Sequence, residues 1–300
     1  GVIVEKPFKT FPNGFTKDII DEFEKRTGRK VVGNKPASGT AILDEYGEHQ
    51  IKTGDWIVYT SADSVFQIAA NEEIIPLEEL YEACQIAREL AMNERWKVGR
   101  IIARPYIGKK AGEFKRTANR HDLALAPSSK TVLDNLKENN YDVIGVGKIA
   151  DIFDNQGISK KVKTESNYDG MAKTIELAKT DFTGLCFVNL VDFDAVYGHR
   201  RNPEGYGKAI KEFDIQLEEL MKYLHHDDLL MISADHGNDP TYQGTDHTRE
   251  QVPLIIYSKE LLKPRQLEEM DSFAVIGATI ADNFEVPLPA IGISILNKII

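Results

Sequence analysis

Beyond Pro127 the chain alternates segments of helical period with short apolar runs, with helices over 131–139, 171–179, 207–224 and 273–284 and strands over 142–147, 184–191, 229–234 and 253–258. Such alternation predicts an α/β fold whose mostly parallel sheet is sandwiched by helices. Ligands in sheets of this kind collect beyond the carboxyl ends of the strands, so chemistry is sought there first. Residues 8–126 have a different texture: helical periodicity over 17–27 and 77–92, with short strands over 55–60 and 99–103, reads as an α+β unit. The chain thus divides into a smaller α+β domain, 1–125, and an α/β domain, 126–300. Asn34-Lys35-Pro36-Ala37-Ser38-Gly39-Thr40 reads as a turn-rich loop whose hydroxyls cap a helix beginning near Ala41.

Bulk properties narrow the function classes. Forty-two per cent hydrophobic residues over 300 positions can bury a sizeable core. With 37 basic against 47 acidic residues, the formal charge of −10 argues against general nucleic-acid binding while allowing a local basic pocket for an anionic substrate. Cys84 and Cys186 are far apart in apolar stretches and read as small core residues of a protein from a reducing compartment. No apolar run is long enough to span a bilayer and the start lacks signal-peptide organisation, which leads to the expectation of a soluble, cytoplasmic protein with no membrane partner. Val2-Ile3-Val4 resembles a strand or linker entered from upstream.

The strand ends carry the chemistry. The apolar run 185–191 leads into Asp192-Phe193-Asp194-Ala195-Val196-Tyr197-Gly198-His199; the run 229–234 leads into Asp235-His236-Gly237-Asn238-Asp239; and Thr245-Asp246-His247-Thr248-Arg249 precedes the last strand. Five of the seven histidines lie in this C-terminal zone and three sit in these clusters. Carboxylate and imidazole together suit borderline divalent metals, and two such ions side by side can clamp both oxygens of an in-line phosphoryl displacement. His225 and His226 follow a long amphipathic helix, where imidazolium complements the helix dipole, and receive no chemical role. His49 and His121 read as surface or hydrogen-bonded residues, and Thr245, Thr248 and Ser233 as supporting or capping hydroxyls.

These clusters resemble the metal-binding segments of the alkaline phosphatase superfamily. Within it, the run 33–40, Tyr59-Thr60-Ser61-Ala62-Asp63-Ser64-Val65 and Asn119-Arg120-His121-Asp122 are similar to segments of the phosphopentomutase family, and the resemblance extends over essentially the whole chain. It implies an alkaline phosphatase-like core with the smaller α+β domain as a cap. It implies two divalent metal ions, taken to be Mn2+, one held by Asp194, His199 and His247 and the other by Asp235 and His236. Ser61, Asp63, Arg100, Arg116 and Lys148 are implied to bind a small-molecule pentose phosphate, with a sugar bisphosphate as activator. The implied reaction interconverts ribose or deoxyribose 1-phosphate and the 5-phosphate through a phosphothreonine. The family's nucleophilic Thr and companion Asp have no match in the sequence and are expected upstream of Gly1, so no catalytic nucleophile is assigned and these residues alone are expected to be inactive. The competing readings are another metal-dependent phosphomutase or phosphatase, and a sugar-phosphate binding module without turnover.

Overall fold

The computed structural model describes Val2 and residues 8–61, 63–261 and 263–299. Ile3 and Val4, in the expected strand or linker, lie outside the described residues. The chain forms two compact units, residues 4–126 and residues 127–300 together with 1–3.

The first unit runs α1 (Lys17–Thr27), β1 (Val31–Pro36), α2 (Gly39–Thr53), β2 (Trp56–Thr60), β3 (Val65–Asn71), α3 (Leu77–Ala91), β4 (Arg100–Ile107), β5 (Lys115–Arg116) and β6 (His121–Ala124). Its sheet has the order β1-β2-β3-β4-β5, with β6 also on β4. The β1/β2 and β3/β4 pairs are parallel; β2/β3, β4/β5 and β4/β6 are antiparallel. Every residue of β2 and β3 is buried, because helices cover both faces. On one face Phe23 of α1 and Leu80 and Cys84 of α3 pack with Trp56, Phe66 and Ile101; on the other Ile42 and Leu43 of α2 pack with Ile57, Tyr59 and Tyr106. Burial of each such large apolar side chain stabilises the unit by roughly 1.5–3 kcal/mol. Ser38 caps α2, its hydroxyl accepting from the Ala41 amide.

Two expectations for this unit change. The loop expected over 34–40 begins as strand, since Asn34, at a bulge with φ 30°, exchanges side-chain hydrogen bonds with both the amide and the carbonyl of Phe15. A turn-forming residue thus substitutes its amide group for a strand partner. The strands β3 and β6 were not anticipated either. β3 is buried on both sides, and complete burial removes the polar alternation that marks a half-exposed strand.

The second unit comprises α4 (Val132–Glu138), β7 (Asp142–Val146), α5 (Ile149–Ile152), β8 (Lys160–Val162), α6 (Asn167–Ala178), β9 (Gly184–Val188), a π-helical turn over Phe193–Gly198, α7 (Pro203–Tyr223), β10 (Leu230–Ser233), β11 (Leu254–Tyr257), α8 (Ala274–Asn283) and α9 (Leu296–Ile299). The β8-β7-β9 sheet is parallel, as the alternation requires. β10 and β11 instead pair antiparallel, against the expectation of one mostly parallel sheet. No helix forms between them, and a return strand without a crossover helix comes back antiparallel. The intervening loop carries two of the three Asp/His clusters. Among the described residues no helix is long and apolar enough to cross a membrane. Both cysteines are free thiols; burial pushes Cys84 up and raises Cys186 to about 11, so neither is poised as a nucleophile.

Candidate metal centre and anion cleft

In the second unit the chain leaves β9 through Asp192, whose carboxylate accepts from the Asn167 amide while its own amide donates to the Asn167 side chain. Asp192 is therefore tied to the start of α6. The π-helical turn follows, closed by a bond from the His199 amide to the Asp194 carbonyl at 2.9 Å. In an α-helix residues five apart point about 140° away from each other. The wider turn brings Asp194 and His199 to one side, a use of π-helical geometry common at functional sites.

Asp194 Oδ2 lies 3.3 Å from His199 Nε2, Asp194 Oδ1 lies 3.2 Å from His247 Nε2, and the two imidazole nitrogens are 3.2 Å apart. One donor atom from each of the three residues falls within 4.8 Å of the others. The His199 Nδ1–H donates to the Thr245 carbonyl at 2.5 Å, which leaves the Nε2 lone pair directed at the cluster when the ring is neutral. His236 stacks on His247, with ring centroids 3.7 Å apart, and its Nε2 lies 3.6 Å from Asp235 Oδ2. The Asp235 side chain is 77% exposed. Of the five expected metal ligands, Asp194, His199 and His247 converge and His236 joins them by stacking on His247, while the exposed Asp235 contacts only its neighbour His236. Two imidazole nitrogens and a carboxylate edge converging at these distances fit a divalent cation of the borderline class.

Close approach of the loops depends on two glycines. Gly237 bridges Thr248 in antiparallel fashion, and a Cβ there would sit 2.8 Å from the Thr248 carbonyl oxygen. A Cβ on Gly198 would sit 2.5 Å from Asn238 Nδ2, which donates to Asp194 Oδ1 at 2.7 Å. The Thr248 hydroxyl donates to Glu250 and accepts from the Asp239 amide, a supporting role as expected. Arg201, not singled out from the sequence, donates to Gly198, Asn238, Asp239, Gly244 and Asp246. Its context, a basic run before a helix, resembles an ordinary charged surface.

Lys148 also belongs to this unit, at the start of α5, where it is exposed and 3.8 Å from Asp151. The other expected substrate residues are in the first unit. Ser61 follows β2 and its hydroxyl accepts from the Asp63 amide at 3.4 Å, while Asp63 is exposed. Arg100 opens β4, and Arg116 pairs with Tyr106 near the strand's other end, so their backbones are about 20 Å apart. Arg116 lines a cleft of about 230 Å³ with Arg104, Pro105, Thr117 and Arg120. Arg104 donates to Gln67, and Arg120 forms a two-pronged pair with Asp122 at 2.6 Å. Burial, and then the charge of Arg120, pushes Arg104 below the usual guanidinium range, whereas the Asp122 hydrogen bonds raise Arg120. The Arg116 fork also lies beside Gly39 in the first turn of α2, whose amide dipole adds to the positive potential. Arg104 was not anticipated and Arg120 was quoted only within the segment 119–122, without a role: single arginines in sequence are mostly surface charges, and it takes the pairing of β4 with both β5 and β6 to gather these three.

A helix-covered parallel sheet and an antiparallel strand pair, whose loops after β9 and between β10 and β11 gather carboxylate and imidazole donors, describe a metal-binding core, and the Metalloenzyme superfamily matches residues 32–288. Within that class the chain belongs to the phosphopentomutase family. It is 61% identical over 303 residues to the phosphopentomutase of Clostridium perfringens (strain 13 / Type A), covering 100% of the chain and 76% of the relative. It is 63% identical over 294 residues to that of Clostridioides difficile (strain 630), covering 98% and 75%, and 59% identical over 305 residues to that of Clostridium tetani (strain Massachusetts / E88), covering 100% and 77%.

Proposed function

We propose that the chain serves phosphopentomutase chemistry, the interconversion of ribose or deoxyribose 1-phosphate with the 5-phosphate. The observation that carries this reading is the roughly 60% identity to phosphopentomutases along the whole chain, in a protein whose Asp194, His199 and His247 donors converge. Asp194, His199 and His247 would hold one Mn2+, with Asp235 and His236 contributing to a second. Bound divalent ions supply charge neutralisation at a phosphoryl group in transfer.

The chain's own residues bind and orient. The His199 bond to Thr245 and the Asn238 bond to Asp194 fix two donors before any ligand arrives, so little reorganisation is needed. Arg104 and Arg116 are assigned to donate to the phosphate that is not being transferred, with Arg120, whose Nε and Nη2 are held by Asp122, adding positive charge beside them. Ser61 and Asp63 are assigned to the pentose hydroxyls, and Arg100 and Lys148 to further phosphate contact. The smaller unit is assigned the role of the family's cap domain. The Thr248 hydroxyl, already engaged on both sides, is not the phosphoryl acceptor.

The test is 31P NMR, with ribose 1-phosphate, Mn2+ and a sugar bisphosphate activator, on a protein that carries this chain together with the rest of its relatives' length, of which the chain spans about 76%. Formation of ribose 5-phosphate without inorganic phosphate supports the proposal. Release of inorganic phosphate alone would make the protein a phosphatase, and saturable pentose phosphate binding with neither product would make it a binding module.

A further inference from the structure

Arg201 lies outside the expected ligand set, yet its guanidinium is the group that touches all three ligand-bearing loops. Nη1 donates to the Gly198 carbonyl at 3.0 Å, to Asn238 Oδ1 at 2.7 Å and to the Asp239 carbonyl at 2.8 Å; Nη2 donates to the Asp246 carbonyl at 2.6 Å and Nε to the Gly244 carbonyl at 2.5 Å. These acceptors are neighbours of ligands: Gly198 precedes His199, Asn238 and Asp239 follow His236, and Asp246 precedes His247. Arg201 itself holds a left-handed φ of 50°, uncommon for a residue with a side chain and sustained only where surrounding contacts over-determine it.

One of these bonds has a chemical consequence. Because Arg201 can only donate, Asn238 must turn its carbonyl oxygen to the guanidinium and its NH2 group away from it. That NH2 donates to Asp194 Oδ1 at 2.7 Å. The arginine thereby fixes which end of the Asn238 amide faces the metal-binding carboxylate.

We propose that Arg201, acting through Asn238, is a positioning residue that sets the geometry of the Asp194–His199–His247 cluster for a divalent cation. The inference rests on the metal reading above. A lysine offers three donors from a single point and cannot reach acceptors on three loops, so the role requires the planar fork. Electrostatics alone predicts the opposite effect of removal: deleting a positive charge near a cation site should tighten cation binding. The sign of the change therefore separates positioning from simple charge.

The experiment is calorimetric titration with Mn2+ of the unaltered chain and of His247→Ala, Arg201→Ala, Arg201→Lys, Asn238→Ala and the Arg201→Ala/Asn238→Ala double variant. Melting curves in chelator check folding. The expected result is at least tenfold weaker Mn2+ binding for Arg201→Ala, little recovery in Arg201→Lys, and a double variant no more than about twofold weaker than the weaker single variant. The EPR spectrum of Mn2+ bound to Asn238→Ala should also change shape, since Asp194 loses a partner. Unchanged or tighter binding by Arg201→Ala, additive losses in the double variant, or an unchanged spectrum would overturn the proposal. If Arg201→Ala fails to fold, Asn238→Ala reads the same link, and wild-type affinity there would overturn it equally. Loss of binding in His247→Ala with wild-type affinity in both Arg201→Ala and Asn238→Ala would remove the positioning role while leaving the metal reading intact. No Mn2+ binding by the unaltered chain would remove both.

Discussion

At the scale of single residues, the two chemical features differ in how strongly each side chain is committed. His247 contributes its Nε2 to a group whose other members are 3.2 Å away, and its ring also stacks on His236, so truncation removes a donor and loosens a second one. His247→Ala should weaken Mn2+ binding by at least tenfold, measured by calorimetry; unchanged stoichiometry and affinity would contradict its assignment. In the arginine cleft the cost falls on charge-assisted hydrogen bonds. Arg104→Ala and Arg116→Ala should each weaken ribose 5-phosphate binding by roughly 1.5–3 kcal/mol while leaving Mn2+ affinity as it was. Retained phosphate affinity in both variants would show that the cleft does not take the substrate. The converging donors were legible in the sequence because Asp and His recur in the loops that border apolar strands, after two of them and before a third. The roles of Arg104, Arg120 and Arg201 were not, since their meaning lies in what other segments present to them: the strands β5 and β6 paired on β4 for the first two, three loop backbones for the third.

Among the elements, the π-helical turn and the loop between β10 and β11 do what the sequence pattern conceals. The alternation after Pro127 correctly announces the parallel β7/β9 pair, whose crossover carries α6 with its own periodicity, whereas β8 and the four-residue α5 before it are too short to leave a periodic signal and were not anticipated. It fails for β11, where the crossover is a ligand loop and the pairing reverses. Capping at Ser38 was legible because the hydroxyl serves a neighbouring amide, whereas Asn34 was misread because its partner, Phe15, is 19 positions away. The bridge between Gly237 and Thr248 is the contact on which loop closure depends. Gly237→Ala would force a Cβ against the backbone of Thr248 and Glu250, neither of which can rotate away as a side chain would. Such overpacking costs about 1–3 kcal/mol. The expected outcome is a lower melting temperature together with weaker Mn2+ binding, and unchanged values for both would mean that the two loops move apart freely.

On the scale of the whole molecule, metal donors and tryptophans fall in different units, which makes metal linkage measurable. Asp194, His199, Asp235, His236 and His247 are all in residues 127–300, whereas both tryptophans, Trp56 and Trp96, are in residues 4–126. Trp56 is fully buried, so its fluorescence reports the unfolding of the first unit. A ligand that binds only the folded form stabilises it by about 2.7 kcal/mol at a hundredfold excess over Kd. For a unit of this size each kcal/mol raises Tm by roughly 2–4 °C. Saturating Mn2+ should therefore move the calorimetric transition of the second unit upward by about 5–11 °C, with chelator reversing the shift. The midpoint followed by tryptophan fluorescence should move by less, since no proposed donor lies in the unit that fluorescence reports. Equal shifts by both probes would mean that the two units unfold as one cooperative body, and a fluorescence shift without a calorimetric shift in the second unit would place the metal among residues 4–126 and overturn the assignment of the strand-end cluster.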